Sequence, residues 1–155
     1  MSAAGLARGI FRRKELRMPE IDPVLQANRK FYRALTEMDM QAMGEVWLHE
    51  DWVRCVHPGW APIEGWPALQ ESWQRIFENT EHMHVTVGGV FVSIQGEMAW
   101  VSCVERVSTT AEGRMDMAYV QATNLFVLRA GVWRMVLHHA SHLPIDAGEG
   151  EETVH

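Results

Sequence analysis

The spacing of apolar residues divides the chain into a helical first half and a strand-rich second half. Between Val24 and Met38 apolar residues recur every three or four positions, which is helical spacing. A second run with this spacing follows Asp39, and a third follows Gly65. Asp22 and the proline after it favour the start of the first helix, since the carboxylate can accept from free backbone amides and proline fits the first turn. We therefore predict three helices in this half.

From His82 onward the apolar period changes to two, the spacing of β-strands. A short strand is also expected at 52–57, before the third helix. A Gly-Gly pair at 88–89 predicts a bulge that bends the sheet. Short glycine-containing turns, typical of antiparallel hairpins, separate four long predicted strands at residues 82–94, 97–110, 115–129 and 132–142.

Three helices followed by a bent antiparallel meander predict an α+β fold. Because the apolar helix faces need an apolar surface, we expect a cone-shaped, strongly curved antiparallel sheet wrapped around the three N-terminal helices. The stretch 51–77 carries four of the seven tryptophans. We expect it to fold over the open end of the cone and close a pocket there.

Composition and charge narrow the classes of function. The 155-residue chain has a net charge of -6 and 47% hydrophobic residues, ordinary values for one globular domain. No basic cluster lies within the predicted domain, which argues against a nucleic-acid partner. No apolar run approaches the ~20 residues of a membrane span. We expect a basic, flexible tail at 1–21, one domain at 22–144 and an acidic tail at 145–155; whether translation starts at Met1 or Met18 stays open.

Cysteine and histidine spacing predicts neither a disulfide nor a metal site. Cys55 and Cys103 fall in predicted strands among apolar residues, which suits buried thiols in a reducing cytoplasm. Neighbouring strand residues such as His138 and His139 point to opposite faces, so they do not easily bind one ion. The pair at positions 82 and 84 shares a face but supplies only two ligands. We expect a cytoplasmic protein without metal or other cofactor.

Strand alternation places one carboxylate and one amide on the inner face of the sheet. Cys103 and Glu105 share a face with apolar residues, and Asn124 interrupts the apolar face of the next strand. A carboxylate that faces an apolar interior is costly unless it is hydrogen-bonded. Glu105 is therefore the most informative residue of the sequence.

The inner face of the last strand is assigned by apolar bulk. The bulkier of its two faces is lined by Trp133, Met135, Leu137, His139 and Ser141. With this face inward, His139 and Ser141 would lie on the same side as Glu105 and Asn124; which of His138 and His139 faces the pocket stays open.

Several short motifs occur in a characteristic order over about residues 22–144. They are the turn His57–Trp60, Gly65 before the helix with Ser72-Trp73 and Ile76-Phe77, the segment Ala122–Asn124, and the ending Trp133–Ser141. Together they resemble the SnoaL-like branch of the nuclear transport factor 2-like superfamily. The resemblance implies an α+β cone with a deep pocket and usually a dimer through the outer face of the sheet. Relatives include ketosteroid isomerase, scytalone dehydratase and polyketide cyclases, alongside members that only bind partners.

The resemblance also bears on catalytic residues. Tyr32 lies roughly where a ketosteroid isomerase has its oxyanion-hole tyrosine. No aspartate occupies the isomerase base positions, since Asp116 falls at a strand start. The catalytic sets of the superfamily's enzymes are therefore not matched cleanly.

The first functional hypothesis is an apolar pocket that binds a small apolar or aromatic molecule. As an enzyme, such a protein would be a cofactor-free isomerase, cyclase or dehydratase, with Glu105 as base and His139 as its partner or the acid. Perturbed titratable groups in clefts are typical of such sites. The candidate ligand-binding residues are Tyr32, Trp47, His57, Trp60, Trp73, Asn124 and Ser141.

The second hypothesis is a non-catalytic dimeric ligand-binding or protein-interaction module. Glu105 would then be a buried carboxylate tied to a neighbour, and the tryptophans would be core and rim packing. The outer face around Tyr119, Thr123, Leu125 and Val127 is apolar enough to be buried against a second copy. A continuous cavity of ~300 Å³ with Glu105 and His139 in its wall favours the first hypothesis, and a plugged cavity favours the second.

Overall fold

The computed structural model describes residues 20–144, which form three helices and one curved, unclosed sheet of six strands. The predicted tails lie outside the described residues, apart from positions 20 and 21. The helices are α1 (Ile21–Glu37), α2 (Met40–Val46) and α3 (Trp66–Glu78). The strands are β1 (Arg54–Val56), β2 (Ile63–Glu64), β3 (His82–Gln95), β4 (Met98–Ala111), β5 (Arg114–Arg129) and β6 (Val132–Leu143). The α+β prediction is confirmed; β2, only two residues long, was not predicted.

Side-chain capping explains the start of α2 but not the start of α1. Asp39 caps α2, because its carboxylate accepts from the Ala42 amide at 3.0 Å. The predicted capping role of Asp22 is wrong, since Glu20 occupies the N-cap of α1 and the helix begins two residues earlier than a cap at Asp22 would give. Asp22 instead lies in the first turn, where its negative charge suits the positive end of the helix dipole.

The sheet is antiparallel except at one edge. Its strand order is β2-β1-β6-β5-β4-β3, so the four long strands form the predicted meander. The prediction of an antiparallel sheet is incomplete, because β1 pairs with β6 in parallel. The segment before β1 is already parallel to β6, because Trp47 forms a parallel bridge with Met135. β1 continues in the same direction.

Two bulges bend the long strands, and only one of them was predicted. In β3 the register shifts between Gly88 and Phe91, as the Gly-Gly pair predicts. In β6, Leu137 pairs with Leu125 of β5 and Met135 pairs with Phe126. Val136, between them, has no partner in β5, so the register shifts there. The extra residue reverses the in-out alternation of the strand beyond it.

The bulge at Val136 overturns the predicted orientation of the last strand. His138 is buried, with 2% of its surface exposed. His139 and Ser141 are exposed on the other face of the strand. The prediction that these two residues face the interior with Glu105 is therefore wrong.

The helices cover the inner face of the sheet, as their apolar faces require. α1 packs on β3, β4 and β6, and α2 packs against α1. The largest fully buried side chains come from helices, strands and connections alike: Phe31, Met43, Trp47, Leu69, Phe126 and Met135. One continuous core results, and the polar residues described below lie within it.

The backbone conformation of Gly65, the residue before α3, disfavours any side chain. Its φ of 86° and ψ of 144° lie in a region used almost only by glycine, and an added Cβ would lie 3.4 Å from the Asp51 carbonyl oxygen. We expect Gly65→Ala to lower the free energy of unfolding by about 2–3 kcal/mol. Gly96→Ala is the matched control, since φ there is also positive but no atom lies within 4 Å; its cost should be about 1 kcal/mol. Equal losses in urea denaturation would contradict this account of the α3 start.

Candidate functional site

Six polar or charged residues are buried in the described part of the chain: Asn28, His57, Ser72, Glu105, Asn124 and His138. Together with tyrosine, cysteine and tryptophan side chains they form two neighbouring groups. The first group, here called the Glu105 network, consists of Asn28, Tyr32, Cys103, Glu105, Asn124 and His138. The second, here called the His57 cluster, consists of Cys55, His57 and Ser72 with the rings of Trp60 and Trp73. Each group combines side chains from elements that are distant in sequence.

Helix and strand periodicity bring the Glu105 network together. Asn28 and Tyr32 are one turn apart on the face of α1 that covers the sheet. Cys103 and Glu105 alternate on the inner face of β4. In the β5–β6 register Asn124 lies directly opposite His138. The network therefore links α1 to three adjacent strands.

The shortest contact of the network joins Tyr32 to Glu105. The Tyr32 hydroxyl donates to Oε2 of Glu105 at 2.6 Å, with both groups buried. Burial raises the pKa of Glu105 to about 7, and the hydrogen bond from Tyr32 only partly offsets this shift. Burial, helped by the charge of Glu105, raises the pKa of Tyr32 far above its ordinary value. Near neutral pH the carboxyl group is thus divided between two protonation states, while the phenol keeps its proton.

Asn124 is fully hydrogen-bonded and holds the Tyr32 oxygen in place. Its amide nitrogen donates to the Asn28 side-chain oxygen at 2.9 Å and to the Tyr32 hydroxyl oxygen at 3.0 Å. Its own oxygen lies 2.6 Å from Nδ1 of His138. Because that oxygen can only accept, Nδ1 of His138 carries the proton. Burial lowers the pKa of His138 to about 3, so the ring is neutral and Nε2 bears no proton.

The two cysteines are free and buried, as predicted. Sγ of Cys103 lies 3.2 Å from the Tyr32 hydroxyl oxygen. Burial raises the pKa of the Cys103 thiol to about 11 and that of Cys55 further still. Since the thiolate is the nucleophile, both cysteines are unreactive at neutral pH.

The His57 cluster is a second chain of buried hydrogen bonds. Ser72 donates its only hydroxyl proton to the Leu69 carbonyl oxygen at 2.7 Å. The 3.0 Å contact between Ser72 and His57 therefore runs from Nε2–H of the imidazole to the hydroxyl oxygen. Burial lowers the pKa of His57 to about 4, so this ring is also neutral at pH 7.

Aromatic rings fill the space between the two groups. The Trp73 ring packs edge-on against His57 at 4.5 Å between centroids and lies 6.1 Å from the His138 ring. Trp60 also packs edge-on against His57, at 4.8 Å between centroids, and is 42% exposed. Within residues 20–144 the buried indole N–H groups of Trp47 and Trp73 have no hydrogen-bond partner.

A cavity of about 340 Å³ between α1 and β3 reaches the Glu105 network. Tyr32 and Asn28 lie in its wall, and Glu105 lies behind Tyr32 rather than in the wall itself. The remaining lining residues are Leu25, Arg29, Val85, Val87 and Val90. A molecule in this cavity could contact the phenol directly and the carboxyl group only through it.

The predicted site residues fall into three sets. Tyr32, Glu105 and Asn124 are brought together, and His57, Trp60 and Trp73 form the neighbouring cluster. Trp47 is 1% exposed in the core beside β6, where it packs rather than lining the 340 Å³ cavity. The structure places His139 and Ser141 on the outer face of the sheet.

Sequence reasoning did not assign five members of the two groups to a site: Asn28, Cys55, Ser72, Cys103 and His138. Asn28 was detectable, because it interrupts the apolar stripe of α1 one turn before Tyr32. His138 was not detectable, because no glycine or proline marks the bulge at Val136 that turns it inward.

The described residues lack two further features. Between residues 20 and 144 no group of three or more histidine, cysteine, aspartate or glutamate side chains is arranged to hold a metal ion. In the same range no helix is long and apolar enough to cross a membrane.

Comparisons with known proteins identify relatives over most of the domain. A family model described as a SnoaL-like domain matches residues 24–146. The F-box protein SKIP8 of Arabidopsis thaliana is 29% identical over 123 residues, which are 79% of this chain and 51% of that protein. The chain thus spans about half the length of this curated relative.

Two solved structures combine similar folds with 31% sequence identity. One is a candidate dehydratase of the nuclear transport factor 2-like family from Streptomyces avermitilis, with a TM-score of 0.75 over 80% of this chain and 96% of that chain. The other is a candidate calcium/calmodulin-dependent protein kinase type II association domain from Thiobacillus denitrificans, with a TM-score of 0.68 over 76% of this chain and 93% of that chain.

Replacing the buried carboxyl group should change how stability depends on pH. The pKa of Glu105 is about 7 in the folded protein and ordinarily 4.5, so the folded state holds this proton more tightly. This tighter proton binding stabilises the folded state fully below pH 4.5, and the stabilisation is lost as pH rises through about 7. Glutamine does not titrate. The stability of the wild-type protein relative to Glu105→Gln should therefore fall by roughly 2–3 kcal/mol from pH 5 to pH 8.

Urea denaturation of both proteins at the two pH values measures this difference. His57 and His138 have lowered pKa values, so their effect has the opposite sign: stability falls as pH drops below 6.5 toward their folded values. They titrate in both proteins and cancel in the difference. Parallel pH profiles for the two proteins would show that Glu105 is ionised normally in the folded state.

Proposed function

The chain belongs to the SnoaL-like family of the nuclear transport factor 2-like superfamily, and we propose that it binds a small apolar or aromatic molecule and exchanges protons with it through Tyr32 and Glu105. The observation that carries this proposal is the buried 2.6 Å hydrogen bond between these two residues, at the wall of the 340 Å³ cavity. This bond connects Tyr32, which a ligand in the cavity can contact, with Glu105, whose pKa is about 7.

The lining of the cavity determines the kind of ligand that fits. Leu25, Val85, Val87 and Val90 make most of the wall apolar. Convergent polar groups at one place in an otherwise apolar pocket are typical of small-molecule sites, and the volume lies within their usual range. An apolar or aromatic molecule with one oxygen directed at Tyr32 matches this arrangement.

The proton path follows from which group the ligand can touch. When Glu105 is protonated, Tyr32 turns its hydroxyl proton from the carboxyl group to the ligand oxygen, and Glu105 passes its own proton to the Tyr32 oxygen. A solvent water molecule that enters the cavity removes a proton from the carbon beside that ligand oxygen and returns a proton to Glu105. Because the pKa of Tyr32 is strongly raised, a free tyrosinate would not accumulate, and the two transfers are coupled. Asn124 donates to the same oxygen and stabilises the negative charge that develops there.

This chemistry suits reactions that need only proton transfer beside an oxygen. Enolisation, double-bond isomerisation and loss of water from a hydroxylated carbonyl compound all fall in this class and require no cofactor. The relative from Streptomyces avermitilis, named as a candidate dehydratase, supports this choice. The sequence also predicted ligand contacts at His57, Trp60 and Trp73. We propose that a molecule long enough to extend past Tyr32 toward α3 makes these contacts.

One observation favours a second candidate, a non-catalytic dimeric module. Glu105 is separated from the cavity by Tyr32, and the core behind it is filled by large side chains such as Phe31 and Phe126. The Glu105 network would then fix the position of α1 on the sheet without reacting. The relatives named as an association domain and as an F-box protein support this alternative.

The first test is whether the cavity carries a guest. Native mass spectrometry of the protein from its own source, in the full-length form, should show a small-molecule adduct. Val90→Trp should remove the adduct, because Val90 lines the cavity and is 47% exposed. Met98→Trp is the control, since Met98 is similarly exposed at 43% and does not line this cavity. Absence of any adduct in repeated preparations would favour the module.

The second test concerns proton transfer to the identified guest. The wild-type protein should catalyse exchange of the guest's acidic C–H protons with deuterium. Tyr32→Phe and Glu105→Gln should each slow this exchange by about 100-fold or more, the usual contribution of general acid–base groups. Unchanged exchange in both variants would eliminate the catalytic role and leave only binding.

We also propose that two copies associate through the outer face of the sheet. Tyr119, Thr123, Leu125 and Val127 lie half-buried on this face, opposite the residues that point into the core. Sedimentation of the wild-type protein should give a dimer. Thr123→Arg should give a monomer, whereas Gln70→Arg on the exposed face of α3 should leave the dimer intact. A wild-type monomer at micromolar concentration would contradict the proposed interface.

A further inference from the structure

A second and larger cleft lies on the opposite side of α1 from the cavity beside Tyr32. Its volume is about 540 Å³, and it is bounded by α1, α2 and the start of β6. α1 lines it with positions 23, 26, 27, 30 and 33, whereas positions 25, 28, 29 and 32 line the other cavity. At 3.6 residues per turn these two sets lie on opposite faces of the helix. The cleft is thus a separate feature of the surface.

The floor of this cleft is apolar. It is formed by Ala27, Ala42, Val46, Val132 and Trp133. Trp133 is 7% exposed and supplies a fixed aromatic surface, while Val132 is 45% exposed at the edge. The floor can therefore cover the apolar body of a small molecule.

The wall of the cleft is basic. It carries the cations of Lys30, Arg33 and Arg134 and the single carboxylate of Glu45. Within residues 20–144 none of these four side chains forms a salt bridge. Nη1 of Arg134 donates to the Glu45 backbone oxygen, which holds the guanidinium group at the wall. Three unpaired cations against one anion give the cleft a local excess of positive charge in a chain whose net charge is -6.

We propose that this cleft binds a small amphipathic carboxylate, with its apolar body on the floor and its head group at the basic wall. A carboxylate matches the planar forked donors of arginine and needs no metal ion. With Glu45 included, the local excess of two positive charges suits a ligand with one negative charge. The proposal does not depend on the function assigned to Tyr32 and Glu105.

Calorimetric titration of the full chain with 4-phenylbutyrate tests the proposal. We expect saturable binding with one site per chain, at least tenfold tighter than binding of the uncharged amide, 4-phenylbutyramide. Added sodium chloride should weaken the binding, because the cations lie at the surface. Equal affinity for the acid and the amide would overturn the proposal, as would the lack of saturable binding at about 10 mM ligand.

Matched variants locate the binding. Arg33→Gln should weaken it roughly three- to fivefold, the effect of losing one exposed charge contact. Arg114→Gln is the control, since it removes an exposed charge at the far end of β5 and should change nothing. Val132→Glu should abolish binding by placing a like charge at the cleft edge without disturbing the core. Equal weakening by the Arg33 and Arg114 variants would show a non-specific charge effect and overturn the proposal.

One more variant separates this cleft from the cavity beside Tyr32. Val90→Trp fills that cavity and should leave 4-phenylbutyrate binding unchanged. Loss of binding in Val90→Trp would assign the ligand to the cavity beside Tyr32 and overturn the proposal.

Discussion

The hydrogen bond between Tyr32 and Glu105 is the interaction on which the interior of this protein depends. A carboxyl group 3% exposed in an apolar core is stable only if it keeps its proton or is strongly hydrogen-bonded. Here both conditions meet: burial moves its pKa to about 7, and the phenol donates to it at 2.6 Å. The same two features that make the group tolerable in the core also make it able to give or take a proton near neutral pH.

The bond also explains why α1 has a fixed position on the sheet. Tyr32 connects it to β4 through Glu105 and to β5 through Asn124, and Asn124 is held from β6 by His138. The Asn124 oxygen can only accept, and this sets the protonation of His138 as well. Such a network specifies one packing of helix on sheet. It leaves the opposite face of α1 free to form the basic cleft.

The sequence contains most of the information about this architecture, and particular residues show where it ends. Helical and strand periodicity predicted the three helices, β1 and the four long strands, and the Gly-Gly pair predicted the bulge in β3; the two-residue strand β2 was missed. Alternation along β4 and β5 correctly placed Glu105 and Asn124 inside. The same rule failed in β6, because the extra residue at Val136 interchanges the faces of His138 and His139, and side-chain bulk could not reveal it. Strand faces are predictable only as far as the register stays regular.

The most direct test of the central claim is a carbon-13 NMR titration of the Glu105 side-chain carboxyl in the full-length protein. The account predicts a midpoint near pH 7, where the buried group exchanges its proton beside Tyr32. A midpoint near 4.5, the ordinary value for glutamate, would contradict it, because the carboxyl group would then be ionised throughout the neutral range and have no proton to pass to Tyr32.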